Sequence, residues 1–173
     1  DITESTVSYH DFTDEIKVLS AQVHVLGVRR TELAMPYVER HRGEDRVHSR
    51  TLALTDVYLV DVFRITYDRE PLYKHNFDYV LHGYGKLTLE GKVSQIAQMG
   101  DVTAVWEQEN GVGLRSTVLS AAQRGGTKFD WYANERTEFF VATRANFEDW
   151  FVVVHEPFKG DSRIASIESI AEQ

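Results

Sequence analysis

The 173-residue chain sets 19 lysines and arginines against 27 aspartates and glutamates, for a formal net charge of −8, and contains no cysteine. That length suits one domain with a sizeable core, and a composition 42% hydrophobic and 12% aromatic is that of a globular protein. The acidic balance argues against a nucleic-acid binder and against this domain alone gripping a polyanion, while the missing cysteines exclude disulfides, thiolate nucleophiles and Cys-ligated zinc.

Helical periodicity is scarce, and short runs rich in Val, Ile, Thr, Tyr and Phe recur between Gly, Asn and Asp. The opening DITEST has neither an initiator methionine nor the look of a signal peptide, so the chain is expected to be a processed product or a fragment. Strands are predicted near 15–26, 47–55, 57–67, 77–84, 86–93, 101–107, 112–120, 127–132, 138–144, 149–156 and 162–169, with SIESIAEQ open to closing as a helical turn instead. The fold class is therefore all-β: a largely antiparallel two-sheet β-sandwich of about ten strands, forming a single domain over 1–173. No run reaches the roughly 18 apolar residues of a membrane span.

In 15–25, Ile16, Val18, Val23 and Val25 oppose Lys17, Gln22 and His24, but the phase slips after Val18 and suggests a bulge. Arg29, Arg30 and the stretch 40–46 are candidate basic patches, although surface arginines are more often simply solvated. VYLVDVFRITY (57–67) is apolar on both faces for most of its length, which describes a central strand covered on both sides with Asp61 embedded in it. A buried carboxylate needs a partner. Arg50 and Arg64 are the candidates, and a structural ion pair between Arg50 and Asp61 is the preferred reading.

HNFDYVLHGYGKL (75–87) concentrates histidine, aspartate and aromatic residues. On a strand, Phe77, Tyr79 and Leu81 share one face and Asp78, Val80 and His82 the other. Asp78 and His82 then lie about 13 Å apart at ~3.3 Å per residue, too far to share a zinc whose ligands sit near 2 Å. The two glycines around Tyr84 permit a bend or a close backbone approach. His82 and Tyr84 are the positions to test for ligand contact, set against the plainer reading of a hydrogen-bonded histidine at a bulge. Further along, Asn110-Gly111 in ENGVG marks a hairpin. Trp106, Trp131 and Trp150 are core residues or sugar-stacking platforms. No nucleophile elbow, P-loop, HExxH or dinucleotide fingerprint is present, so no catalytic residue and no metal ligand is assigned.

RTLALTDVYLVDVFRI, HNFDYVLHGYG and WFVVVHEPF together resemble the C-terminal β-sandwich region of the heparinase II/III-like polysaccharide lyases, a group that includes alginate and oligoalginate lyases. The likeness covers Arg50 to Gly85 and, more loosely, Phe151 to Ile167. It implies a bacterial, periplasmic or secreted parent in which an α-helical toroid of the same protein precedes the sandwich. An acidic polysaccharide would be cut there by β-elimination. It also implies a zinc held by HxHxD, VDxG and HNTVVVD elements. None of these occurs here, so no catalytic residue or cofactor is carried over, and the chain is expected to be inactive alone. The alternative is a free-standing carbohydrate-binding or adhesion sandwich without enzymatic activity; a complete small jelly-roll lyase ranks last, for want of a repeated basic stripe.

Overall fold

A computed structural model describes residues 2–25, 46–67, 75–90, 101–119, 128–133, 138–146 and 149–167. Among them lie eleven strands and no helix: β1 (Ile2–Phe12), β2 (Lys17–Val25), β3 (Arg46–Leu54), β4 (Leu59–Tyr67), β5 (His75–Gly83), β6 (Lys86–Glu90), β7 (Val102–Glu107), β8 (Val112–Leu119), β9 (Lys128–Ala133), β10 (Glu138–Asn146) and β11 (Asp149–Lys159). They form an eight-stranded sheet in the order β1-β2-β3-β4-β11-β8-β7-β6 and a three-stranded sheet in the order β5-β10-β9. Every pairing is antiparallel. The protein is the all-β, two-sheet sandwich that the alternating pattern predicts.

Two hairpins in the large sheet are closed by the same short device. Thr13 and Thr55, each followed by an aspartate, donate their hydroxyls to the carbonyls of Ile16 and Tyr58 at 2.8 and 3.1 Å and accept from the amides of those same residues. The β7–β8 hairpin turns at Asn110-Gly111 as expected, but Gly111, at φ 74°, is its only residue with positive φ. The turn is thus a type I reversal completed by a left-handed glycine, with Gly111 N–H donating to the Gln108 carbonyl at 2.9 Å.

The core lies between the small sheet and one half of the large one. Ile65, Phe151, Val153, Val118, Val102, Ala104 and Trp106 from the large sheet meet Phe77, Tyr79, Phe140 and Ala142 from the small. Among the described residues, none from β1, β2 or β3 joins this buried cluster. Trp106 is fully buried and donates its indole N–H to the Glu138 carbonyl at 2.9 Å, which tethers the sheets. The chain changes sheet at Gly83-Tyr84-Gly85. There Gly83 packs so tightly on Trp106 that a Cβ would come within 2.2 Å of the indole. The close backbone approach expected of these glycines is thus met at Gly83.

Several expectations are corrected. β1 is a strand that the sequence reading left out. Residues 162–167, predicted to be strand, instead run back over the outer face of the large sheet as an irregular strap, and 168–169 lie outside the described residues. β2 pairs with β3 without interruption; the register shifts fall in β1, between Ile2 and Glu4 and between Val7 and Tyr9. Val18 is simply on the outer face. β4 is central but covered on one side only: Asp61 and Ile65 are buried, whereas Val60 and Val62 on the opposite face are half-buried. Arg29, Arg30 and residues 40–45 lie outside the described residues.

Candidate functional site

One row of directly paired residues crosses the inner face of the large sheet: Leu19, Leu52, Asp61, Val153, Val118 and Val102. Asp61 is the charged member of that row and is completely buried. Its partners arrive by strand geometry. Arg50 is two residues from Leu52 on β3 and so stands diagonally across from Asp61, within reach of a long side chain. Its guanidinium grips the carboxylate as a fork, Nε to Oδ1 at 3.0 Å and Nη2 to Oδ2 at 2.6 Å. From the facing sheet, Tyr79 donates its hydroxyl to Oδ2. His155 on β11 is diagonal on the other side, with Nε2 3.9 Å from Oδ2, a distance for electrostatic attraction rather than a direct hydrogen bond. Its Nδ1 pairs at 2.9 Å with Ser116, directly opposite on β8.

Burial alone would push the Asp61 carboxyl up. The His155 ring, the Arg50 fork and the Tyr79 hydroxyl outweigh that effect and hold it below the ordinary carboxylate range. Tyr79 is pushed up by burial and by its bond to Asp61, so it stays protonated and serves as a donor rather than a base. Ser116, His155 and Asp61 share the composition of a hydrolase triad but not its geometry. The serine is fully buried, where no substrate carbonyl can reach its Oγ, and the aspartate is already engaged by Arg50 and Tyr79. What the cluster does is clamp β3, β4 and β11 to β5 across the sandwich. It leaves one chemical group facing water: the Arg50 side chain, 56% exposed.

A second buried carboxylate, Glu156, points to the opposite face. It accepts from Ser162 Oγ at 2.7 Å, from the amides of Arg163 and Ile164 at 2.5 and 3.2 Å, and from Arg115 at 3.4 Å. Burial would raise its carboxyl, but these donors hold it lower. Glu156 is the reason residues 162–167 form a strap rather than a strand.

Of the residues singled out from sequence, Arg50 and Asp61 are brought together, and Arg64 is not part of the pair. Three positions beyond Asp61, it lies on the opposite face. His82 and Tyr84 lie apart from the cluster. His82 is on the solvent side of β5 and stacks on Phe139 at 5.1 Å, while Tyr84 is 79% exposed at the sheet-to-sheet corner. Trp106 is core, Trp150 is exposed near the start of β11, and the Trp131 side chain lies outside the description. Tyr79, His155, Ser116 and Glu156 were not anticipated. Their signal was polar atoms at core positions of strands, in FDYVL and VVVHEP, which becomes legible only once the strands are paired. Among the described residues, no grouping of three or more His, Asp or Glu side chains is placed to hold a metal ion, so the zinc that the lyase resemblance implies has no fitting site there. Nor, among them, is any helix long and apolar enough to cross a membrane. No protein-family model matches the chain, and no curated protein is significantly similar to it.

Proposed function

We propose that this chain is the sandwich domain of a polysaccharide lyase that cleaves uronic-acid-containing polysaccharide by β-elimination, working in the periplasm or outside the cell and silent without the α-helical toroid of the same protein. The observation that carries the reading is the inner face of β1–β3, beyond the reach of the buried core. There Val7 and Phe12 are 59% and 62% exposed, and Leu19 and Leu54 on the same face are exposed as well. A face of this kind, apolar at these four positions and interleaved with His10, Lys17 and the half-exposed Arg50, has the make-up of a contact surface for another domain. The sequence likeness of Arg50–Gly85 to lyase sandwiches names that domain. The chemistry agrees: His155 and Tyr79, the proton-transfer residue types of an elimination, are committed here to the Asp61 clamp.

Eliminative cleavage leaves an unsaturated sugar that absorbs in the ultraviolet. The purified chain should give a flat trace on alginate, heparin and heparan sulfate, whereas the complete gene product should give a rising one. A rise with the chain alone, lost on replacing His82 or Tyr84, would overturn the reading. In the complete product, Leu19→Asp with Leu54→Asp should separate the domains in limited proteolysis and lower the lyase rate.

A further inference from the structure

We propose that the cleft between the outer face of the large sheet and the 162–167 strap binds a neutral, hydroxyl-rich ligand, one residue of a sugar chain. The site lies on the face opposite Arg50 and does not depend on the lyase reading. The cleft has a volume of about 360 Å³, at the small end of the range of ligand pockets. Its floor is a pair of threonines on neighbouring strands, Thr103 and Thr117, whose hydroxyls hydrogen-bond to each other at 2.9 Å. Such a pair keeps one hydroxyl proton and spare lone pairs to offer a ligand. Arg115 lines the cleft beside them. Its guanidinium is fixed by the Phe158 ring, 5.1 Å away, and by one N–H to Glu156, which leaves further donors of its five-donor fork for a ligand. Val154 and Ile164 supply an apolar patch for C–H groups.

Charge decides the class. Arg115 is already balanced by Glu156, while Glu90 adds an exposed carboxylate to the lining. A uronate or phosphate would be repelled. A bare cation meets the arginine in the same space, and among the described residues no trio of acidic or histidine side chains gathers there to coordinate it. A neutral sugar suits both halves: its hydroxyls donate to Glu90 and accept from Arg115 and the threonines. With no aromatic ring among the described lining residues, recognition rests on hydrogen bonds, which implies weak binding.

The test is a set of amide NMR titrations of the whole chain with glucose, mannose, galactose, glucuronate and calcium as separate probes. At least one neutral sugar should shift the amides of Thr103, Arg115, Thr117 and Ile164 saturably. Thr103→Val with Thr117→Val should weaken that binding about tenfold or more. If the double variant does not fold, Glu90→Gln, at an exposed position, should weaken it instead. Absence of a saturable response to every neutral sugar overturns the proposal. So does a stronger response of these amides to glucuronate or calcium, or neutral-sugar binding that the foldable variants leave unchanged.

Discussion

At the scale of single residues, the Asp61 clamp is asymmetric, and its two ends should respond differently to mutation. Asp61 is wholly buried, whereas Arg50 already reaches water. Replacing Arg50 with Met strands a buried carboxylate and should cost about 3–5 kcal/mol. Asp61→Asn leaves an arginine free to turn outward and a tyrosine that still finds an amide oxygen, so about 1–3 kcal/mol is expected. Urea unfolding of the two variants at neutral pH checks this order, and Arg50→Met with Asp61→Leu should recover part of the larger loss. A reversed order would mean that Arg50, not Asp61, is the anchored end. His48 gives a pH prediction. It lies on the same face two residues from Arg50, with its Nε2 buried and without a hydrogen-bond partner. Burial, helped by Arg46, lowers its pKa. The unfolded chain therefore takes up this proton first as the pH drops. Stability from His48 is full above about pH 6.5 and is lost as the pH falls through the lower folded value. The unfolding midpoint should decline between pH 7 and 5, and His48→Gln should flatten the decline.

At the scale of elements, two glycines, Gly83 and Gly111, act for different reasons, and alanine scanning should separate them. At Gly83 a methyl group would collide with the Trp106 ring, so Gly83→Ala should cost about 1–3 kcal/mol through overpacking. At Gly111 nothing stands within 4 Å, and only the left-handed backbone opposes a side chain; Gly111→Ala should cost about 1–2 kcal/mol. Gly111→Asn should recover part of that, whereas Gly83→Asn should be worse than Gly83→Ala. The same contrast shows which elements can be read from a sequence. β4, β7, β8 and β11 announce themselves through runs of Val, Phe and Trp because they line the core. β1 does not: ITESTVSYHDF is an edge strand whose side chains, where described, are exposed, so burial imposes no alternation on it. Its one readable trace is TDEI, a turn built like TDVY at 55–58. The alternation of IASI misleads in the other direction, because the buried Glu156 captures that segment as a strap before any strand can claim it. The Arg50–Asp61 pair was accessible because both residues lie on consecutive strands of one hairpin. Tyr79, His155 and Ser116 come from strands far apart in the chain, and only the observed register brings them to Asp61.

At the scale of the whole molecule, the chain has no cysteine, and burial, hydrogen bonds and the Arg50–Asp61 ion pair hold the described sandwich. Thermal unfolding with and without EDTA should superimpose; a Tm lower by many degrees with the chelator would reveal a cation site assembled elsewhere. The strand order has a further consequence, for the route by which the chain folds. β1–β4 and β6–β8 are each runs of neighbours in sequence that can pair soon after they are made. Among the described strands, the two runs are joined in the sheet only through β11, which inserts between β4 and β8 and is the last of them in the chain. Until it arrives, the large sheet is two separate ribbons, and Asp61 lacks both Val153 beside it and His155 diagonally across. Such late, long-range closure is slow and exposes unpaired edges while it waits. On the ribosome, the sheet stays open until residues 149–159 have left the exit tunnel.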